Sequence, residues 1–213
     1  MPMTPVPSVA LTPVAYFPEG YFLENLAVRA DGSVLVTTVQ HKELWCVRGP
    51  EPRADVPPVL VATFESYTMG VIEAEPDVFI VGLSDQKGST RESHLARVDL
   101  NGWTPGEPVT PEIILTFDER AQWLNGACML GPGVLLEADC YAGLIWRVDL
   151  ADSAHSASAR VWLSHHTMAF DPDNVVHKPP PQPGVNGVRY GPGTGYLYYT
   201  STAQQVFMRV PVD

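Results

Sequence analysis

Asn125-Gly126-Ala-Cys-Met-Leu130 runs into Gly133-Val-Leu-Leu-Glu-Ala138 and then Gly143-Leu-Ile-Trp146-Arg-Val-Asp149. This is a start motif, a short apolar strand, a turn, a second strand ending small, and a third carrying an aromatic. The same grammar recurs three more times. Glu24-Asn25 precedes Ser33–Thr38 and Glu43–Val47, Met69-Gly70 precedes Val78–Leu83 and His94–Asp99, and Asn186-Gly187 precedes Gly195–Thr200 and Gln205–Val210. Between repeats lies a fourth apolar run: Pro58–Phe64, Glu112–Phe117 and Ala159–Leu163. These runs are rich in Val, Ile, Leu, Tyr and Trp and are bounded by Gly, Pro and Asp, as strands are. Four antiparallel strands repeating at roughly 45–60 residues are the pattern of a β-propeller blade. An ordinary β-sandwich uses the same strand chemistry, but it gives no reason for start motif, turn and aromatic to recur in one order. The expected fold is all-β, a propeller with about four blades in residues 1–213, read as a single domain.

Composition agrees. The 21 prolines and 17 glycines make up about 18% of the 213 residues, against roughly 12% in average usage, which argues against a helical bundle. The fourth repeat has no outer strand after it. Val9–Phe17 is the candidate to supply one, with Pro13 suited to an edge position. The longest irregular stretch is His165–Gly184, which includes Pro179-Pro180-Pro181 and reads as a lid over one mouth or as a surface loop.

Charge and cysteine usage bound the function. With 24 acidic against 13 basic residues, the net charge is −11. Nucleic-acid binding is dominated by Lys and Arg neutralising phosphates, so nucleic acid is excluded as an expected partner. No apolar run approaches the ~18 residues that span a bilayer, so no membrane helix is expected. Met1–Pro13 has neither the basic start nor the apolar run of a signal peptide, which makes a cytoplasmic location the expectation. Cys46, Cys128 and Cys140 are odd in number and lack CxxC spacing, so they read as reduced thiols in or near the core. There is no Gly-x-Ser-x-Gly elbow, no P-loop and no His-Glu-x-x-His, and Gly191–Gly195 precedes a strand, so it reads as a turn. His165-His166 reads as a pair of solvated loop histidines.

The start motifs carry the most chemistry. The innermost strand of each propeller blade lines the central channel, and its first residues gather at one mouth. Glu24, Asn125 and Asn186 hold matching positions there. One carboxylate and two amide oxygens make a hard-oxygen set suited to Ca²⁺. Asn-Gly is equally plain turn chemistry before a strand. Met69 holds the second repeat's position and offers no hard donor. Asp139, near the end of a second strand, reads either as a channel-side carboxylate or as a turn cap. Met69, Trp123, Tyr141, Tyr190 and Tyr199 are candidate pocket walls; aromatics in such strands otherwise belong to the blade core.

Phe22-Leu-Glu24-Asn25-Leu-Ala-Val-Arg29, the two Asn-Gly starts, Tyr196–Thr200 and Arg209–Asp213 resemble the gluconolactonase/regucalcin-like six-bladed propellers. Glu24-Asn25, Gly70–Asp77 and Val185-Asn-Gly187 resemble more narrowly a fungal branch of that superfamily, the hetero-Diels–Alderase-like proteins with degenerate NHL-type repeats. The resemblance runs from about Val14 to Asp213. It implies a Ca²⁺ at the channel mouth of the hydrolases, held by residues at the positions of Glu24, Asn125 and Asn186 and by a further Asp. That last ligand and the final two blades have no counterpart in these 213 residues, so a truncated or minimised propeller is expected.

Three function classes follow. A hydrolase would polarise a lactone or ester carbonyl with Ca²⁺. A pericyclase needs neither nucleophile nor metal, but an apolar pocket that folds a reactive polyene or quinone methide into a near-attack geometry beside a few hydrogen-bond donors. The narrower resemblance favours the pericyclase, with an apolar small molecule from fungal secondary metabolism as substrate. A non-enzymatic scaffold, self-associating through exposed blade edges, is the third class.

Overall fold

The structure is a computed structural model and describes residues 11–49, 55–151, 154–173 and 182–212. Its fifteen strands are β1 Leu23–Val28, β2 Val34–Thr38, β3 Glu43–Val47, β4 Val59–Thr63, β5 Tyr67–Glu75, β6 Val78–Lys87, β7 Thr90–Asp99, β8 Glu112–Thr116, β9 Leu124–Gly131, β10 Val134–Asp139, β11 Leu144–Leu150, β12 Ala157–Ser164, β13 Val185–Gly191, β14 Tyr196–Ser201 and β15 Val206–Pro211. They form four antiparallel sheets in sequence order, β1–β4, β5–β8, β9–β12 and β13–β15. Each sheet is one propeller blade, as the repeat requires. No helix among the described residues is long and apolar enough to cross a membrane.

Blades are held together face to face. Alternation along each strand sends one set of apolar side chains to each side of the sheet. Leu35, Leu44 and Val61 of blade one meet Phe79, Val81 and Val98 of blade two in one core. Ile80 and Leu95 meet Leu124, Leu135 and Trp146 in a second, and Leu136 and Ile145 meet Val188, Leu197 and Tyr199 in a third. Inner strands pack in the order β1, β5, β9, β13, and no comparable packing joins β13 back to β1 among the described residues. The four blades therefore make an arc around a channel.

Two expectations need correction. Leu11–Phe17 forms no strand and adds nothing to blade four, which has three strands among the described residues. Pro13 and Pro18 remove N–H groups that a ladder needs, and Phe17 instead packs edge-on against Trp45 of blade one at 6.0 Å. Val9 and Ala10 lie outside the described residues, as does Asp213. The second correction concerns the blade-two hairpin, where β6 and β7 run past the expected ends to Lys87 and Thr90. That tip is polar, with Lys87 paired to Glu92, so apolar patterning stops before the ladder does.

The stretch from His165 opens with a 3₁₀ turn, His166–Met168, and a bridge joins Asp171 to Gln182. Pro179-Pro180-Pro181 lies outside the described residues. His165 and His166 are exposed and lie 4.1 Å apart. All three cysteines are free and buried.

Candidate functional site

Every inner strand breaks register at its start motif. The ladder slips between Leu23 and Leu26, between Thr68 and Val71, across Glu137/Asp139 opposite β9, and between Val185 and Val188. Such bulges bend the strand and re-aim one side chain, here Glu24, Met69, Asn125 and Asn186. The residue after the bulge is Gly70, Gly126 or Gly187 in three blades. A Cβ on Gly70 would lie 2.6 Å from the Asn125 carbonyl, and one on Gly126 would lie 2.7 Å from the Asn186 carbonyl. Glycine at these positions lets neighbouring inner strands touch through their backbones. In blade one the slot holds Asn25. There the Thr37 hydroxyl accepts from the Asn25 N–H at 3.1 Å and donates to the Met69 carbonyl at 2.8 Å.

A cavity of about 210 Å³ opens at this mouth. Glu24, Met69, Trp123, Asn125 and Tyr141 line it together, with Cys140, Phe22 and Pro183 completing much of the wall. Burial pushes the Glu24 carboxyl above its ordinary value. Burial also raises the Tyr141 phenol, and it pushes the Cys140 thiol up to about 12. Asn125 is buried beside that thiol. The mouth thus sets one carboxyl among soft and apolar surface.

An aromatic row extends the wall. Ring centroids run from Tyr67 to Trp123 at 5.7 Å, from Trp123 to Tyr141 at 5.6 Å, and from Tyr141 to Phe170 at 4.4 Å. Cations cap it at two places. Lys42 lies 5.2 Å from the Tyr67 ring and Arg91 lies 4.8 Å from Tyr141, where its Nη1 also donates to Gln122 Oε1.

The other sequence candidates lie elsewhere. Asp139 is fully buried and accepts from the backbone N–H groups of Gln122, Trp123 and Ala142 at 2.7–2.9 Å. It is the turn cap, fixing Trp123 and the Cys140–Ala142 turn around the cavity, and is not a lining residue. Tyr199 is core between blades three and four, with its hydroxyl 2.6 Å from Thr167 Oγ1. Tyr190 lines a cavity at the opposite end of the channel. Asn186 is not among the lining residues of the mouth; its carbonyl abuts Gly126. A roomier cavity of about 400 Å³, walled by Phe64, His94, Ile113 and Thr116, sits at the rim between outer strands and includes none of these side chains.

Cys140, Phe22, Tyr67 and Phe170 were not expected at the site. Three of them follow from the repeat. Phe22, Tyr67 and Trp123 each stand two residues before the bulge residue, and Cys140-Tyr141 follows the second strand of blade three as Val39-Gln40, also lining the cavity, follows that of blade one.

The residues fit a calcium ion poorly. Ca²⁺ takes six to eight oxygens, whereas the side-chain oxygens lining the mouth are the Glu24 carboxyl, the Asn125 and Gln40 amides and the Tyr141 hydroxyl, with the Met69 thioether among them. Among the described residues, no group of three or more His, Cys, Asp and Glu side chains is placed to hold a metal.

No protein-family model matches the sequence, and no curated protein does either. Solved structures do match in fold. A catalytically inactive virginiamycin B lyase from Staphylococcus aureus superposes with TM-score 0.53 at 11% identity, over 93% of this chain and 58% of the lyase. A putative gluconolactonase gives 0.53 at 13%, over 90% of this chain and 74% of its own length. Myxococcus xanthus glutaminyl cyclase gives 0.51 at 15%, over 92% and 75%. The chain thus spans little more than half of the lyase and about three quarters of the other two. At these identities the likeness is one of fold, and the fold is the β-propeller.

Proposed function

We propose that the chain acts on an apolar small molecule at the bulge mouth, as a hetero-Diels–Alderase-like cyclase of fungal secondary metabolism. The observation that carries this reading is the lining itself: one carboxyl raised by burial above its ordinary value, a thioether, a neutral thiol and a row of aromatic rings. A [4+2] addition of a quinone methide to an alkene forms one C–C and one C–O bond and releases nothing. It needs alignment of the two partners and a donor to the heterodiene oxygen. Trp123 and Tyr141 supply flat surface for alignment. The Glu24 carboxyl, or the Tyr141 hydroxyl, supplies the donor. The gluconolactonase-like and lyase-like folds are in keeping with a small-molecule site in a propeller, although fold alone does not fix chemistry.

The test generates an o-quinone methide in the presence of an alkene and follows adduct formation by chiral chromatography. Acceleration with enantiomeric excess, both lost in Trp123→Ala, is the expected result. A racemic adduct formed at the buffer rate overturns the reading. The calcium-dependent lactonase is the second reading, favoured by Glu24 and Asn125 sharing one cavity.

A further inference from the structure

The opposite end of the channel holds a second cavity, of about 400 Å³, to which all four inner strands contribute. Its wall is mostly apolar: Leu26 and Val28 from β1, Ile72 from β5, Met129 from β9 and Tyr190 from β13. The cation in it is Arg189. Its Nη1 donates to the Ala127 carbonyl at 2.9 Å and to the Val188 carbonyl at 3.1 Å, which lays the guanidinium from blade four across to blade three. Arg29, Arg97, Arg120, Arg147 and Arg160 each form an ion pair with an aspartate. Arg189 forms none among the described residues, in a chain with an eleven-charge acidic excess. The acid lining the same cavity is Glu73, and its Oε1 accepts from the Asp77 N–H at 2.9 Å. Cys128, also in the wall, stays a neutral thiol because burial pushes it up to about 11.

We propose that this cavity binds an organic monoanion with an apolar body, such as a medium-chain carboxylate, with Arg189 on the anionic head and Leu26, Val28, Ile72 and Met129 around the chain. Nη1 is fixed by two carbonyls, so the guanidinium is pre-oriented. Its Nε and Nη2 donors bond to no described residue and form the edge that pairs with a carboxylate in two parallel hydrogen bonds. An aliphatic wall next to that fork suits a hydrocarbon tail and gives an inorganic anion no further contact. The site is separate from the bulge mouth and stands or falls independently of the cyclase reading.

The test is calorimetric titration of the full chain with sodium octanoate and with 1-octanol, the uncharged analogue. Wild type should bind octanoate saturably, one per chain and more weakly at high salt, and bind octanol less well. Arg189→Gln should weaken octanoate by about tenfold or more and leave octanol unchanged. Arg189→Lys, which keeps a point charge but not the fork, should fall between them. Because Arg189 also ties β13 to β9, Val28→Glu provides a second variant: it sits on an exposed side chain and should repel octanoate with an unchanged melting temperature. The proposal is overturned if folded wild type shows no saturable octanoate binding, if octanol binds as well, or if the Gln and Glu variants bind octanoate as wild type does.

Discussion

The carbonyl oxygen of Asn125 lies 2.6 Å from the point where a Cβ on Gly70 would sit. Blades two and three are therefore in backbone contact at the level of the candidate site, and the position of Met69 relative to Asn125 depends on a missing side chain. Gly70→Ala should destabilise the protein by about 1–3 kcal/mol, the usual cost of forcing a methyl group into packed backbone. Gly126→Ala should behave alike. Gly187→Ala, whose Cβ meets only Thr200 Oγ1 at 3.5 Å, should be tolerated on steric grounds. Denaturant midpoints of the three variants check this.

Glu137 is buried in the blade-three sheet, and its Oε1 has no hydrogen-bond partner. Burial first, and the Asp139 charge second, hold its carboxyl well above the ordinary value of 4.5. A group whose folded pKa is raised contributes stability that is complete below the unfolded value and is lost as pH rises through the folded one. Thermal midpoints of wild type should therefore fall with rising pH above about 4.5 by this contribution. Glu137→Gln, uncharged at any pH, should remove that part of the slope and melt higher than wild type at neutral pH.

Asp139 takes three backbone N–H bonds from the loop that carries Trp123 and the turn that carries Cys140. Asp139→Ala leaves those donors buried without an acceptor and should cost about 3 kcal/mol or more. Near-ultraviolet circular dichroism should report disturbed aromatic packing around Trp123, which a simple loss of stability would not produce in the folded fraction.

If Glu24 donates a hydrogen bond to the reacting oxygen, the rate of cycloaddition should fall as pH rises through its elevated pKa. Glu24→Gln keeps a donor and should give a flat profile with most of the stereoselectivity. Glu24→Ala should lose about tenfold to a hundredfold in rate. A pH–rate profile of the three proteins decides it; equal profiles for wild type and the Gln variant would remove Glu24 from the chemistry.

Much of this was legible in the chain. The four start motifs mark the bulges, and the apolar runs mark the blades, because a strand buried on both faces is written in consecutive Val, Ile and Leu. Glu24, Met69, Trp123, Asn125 and Tyr141 do meet at one mouth. What escaped was of three kinds. Asn186 and Tyr190 lie on β13, which among the described residues packs against β9 on one side and has no inner-strand neighbour on the other, so a position matched by repeat number is not matched in surroundings. Asp139 and Tyr199 were ambiguous because a buried carboxylate cap and a core tyrosine use the same residues as a site. The aromatic two residues before three of the four bulges was present in the repeat as Phe22, Tyr67 and Trp123, yet it is visible only once the bulge defines the count.

Calcium calorimetry on the purified chain, with Glu24→Gln beside it, separates the two readings of the mouth most directly. The lining described above predicts no saturable Ca²⁺ binding that depends on Glu24, in a protein that is folded and stable. Tight binding abolished in the Gln variant would show an assembled oxygen shell at the channel mouth and would contradict the cyclase account in favour of the lactonase.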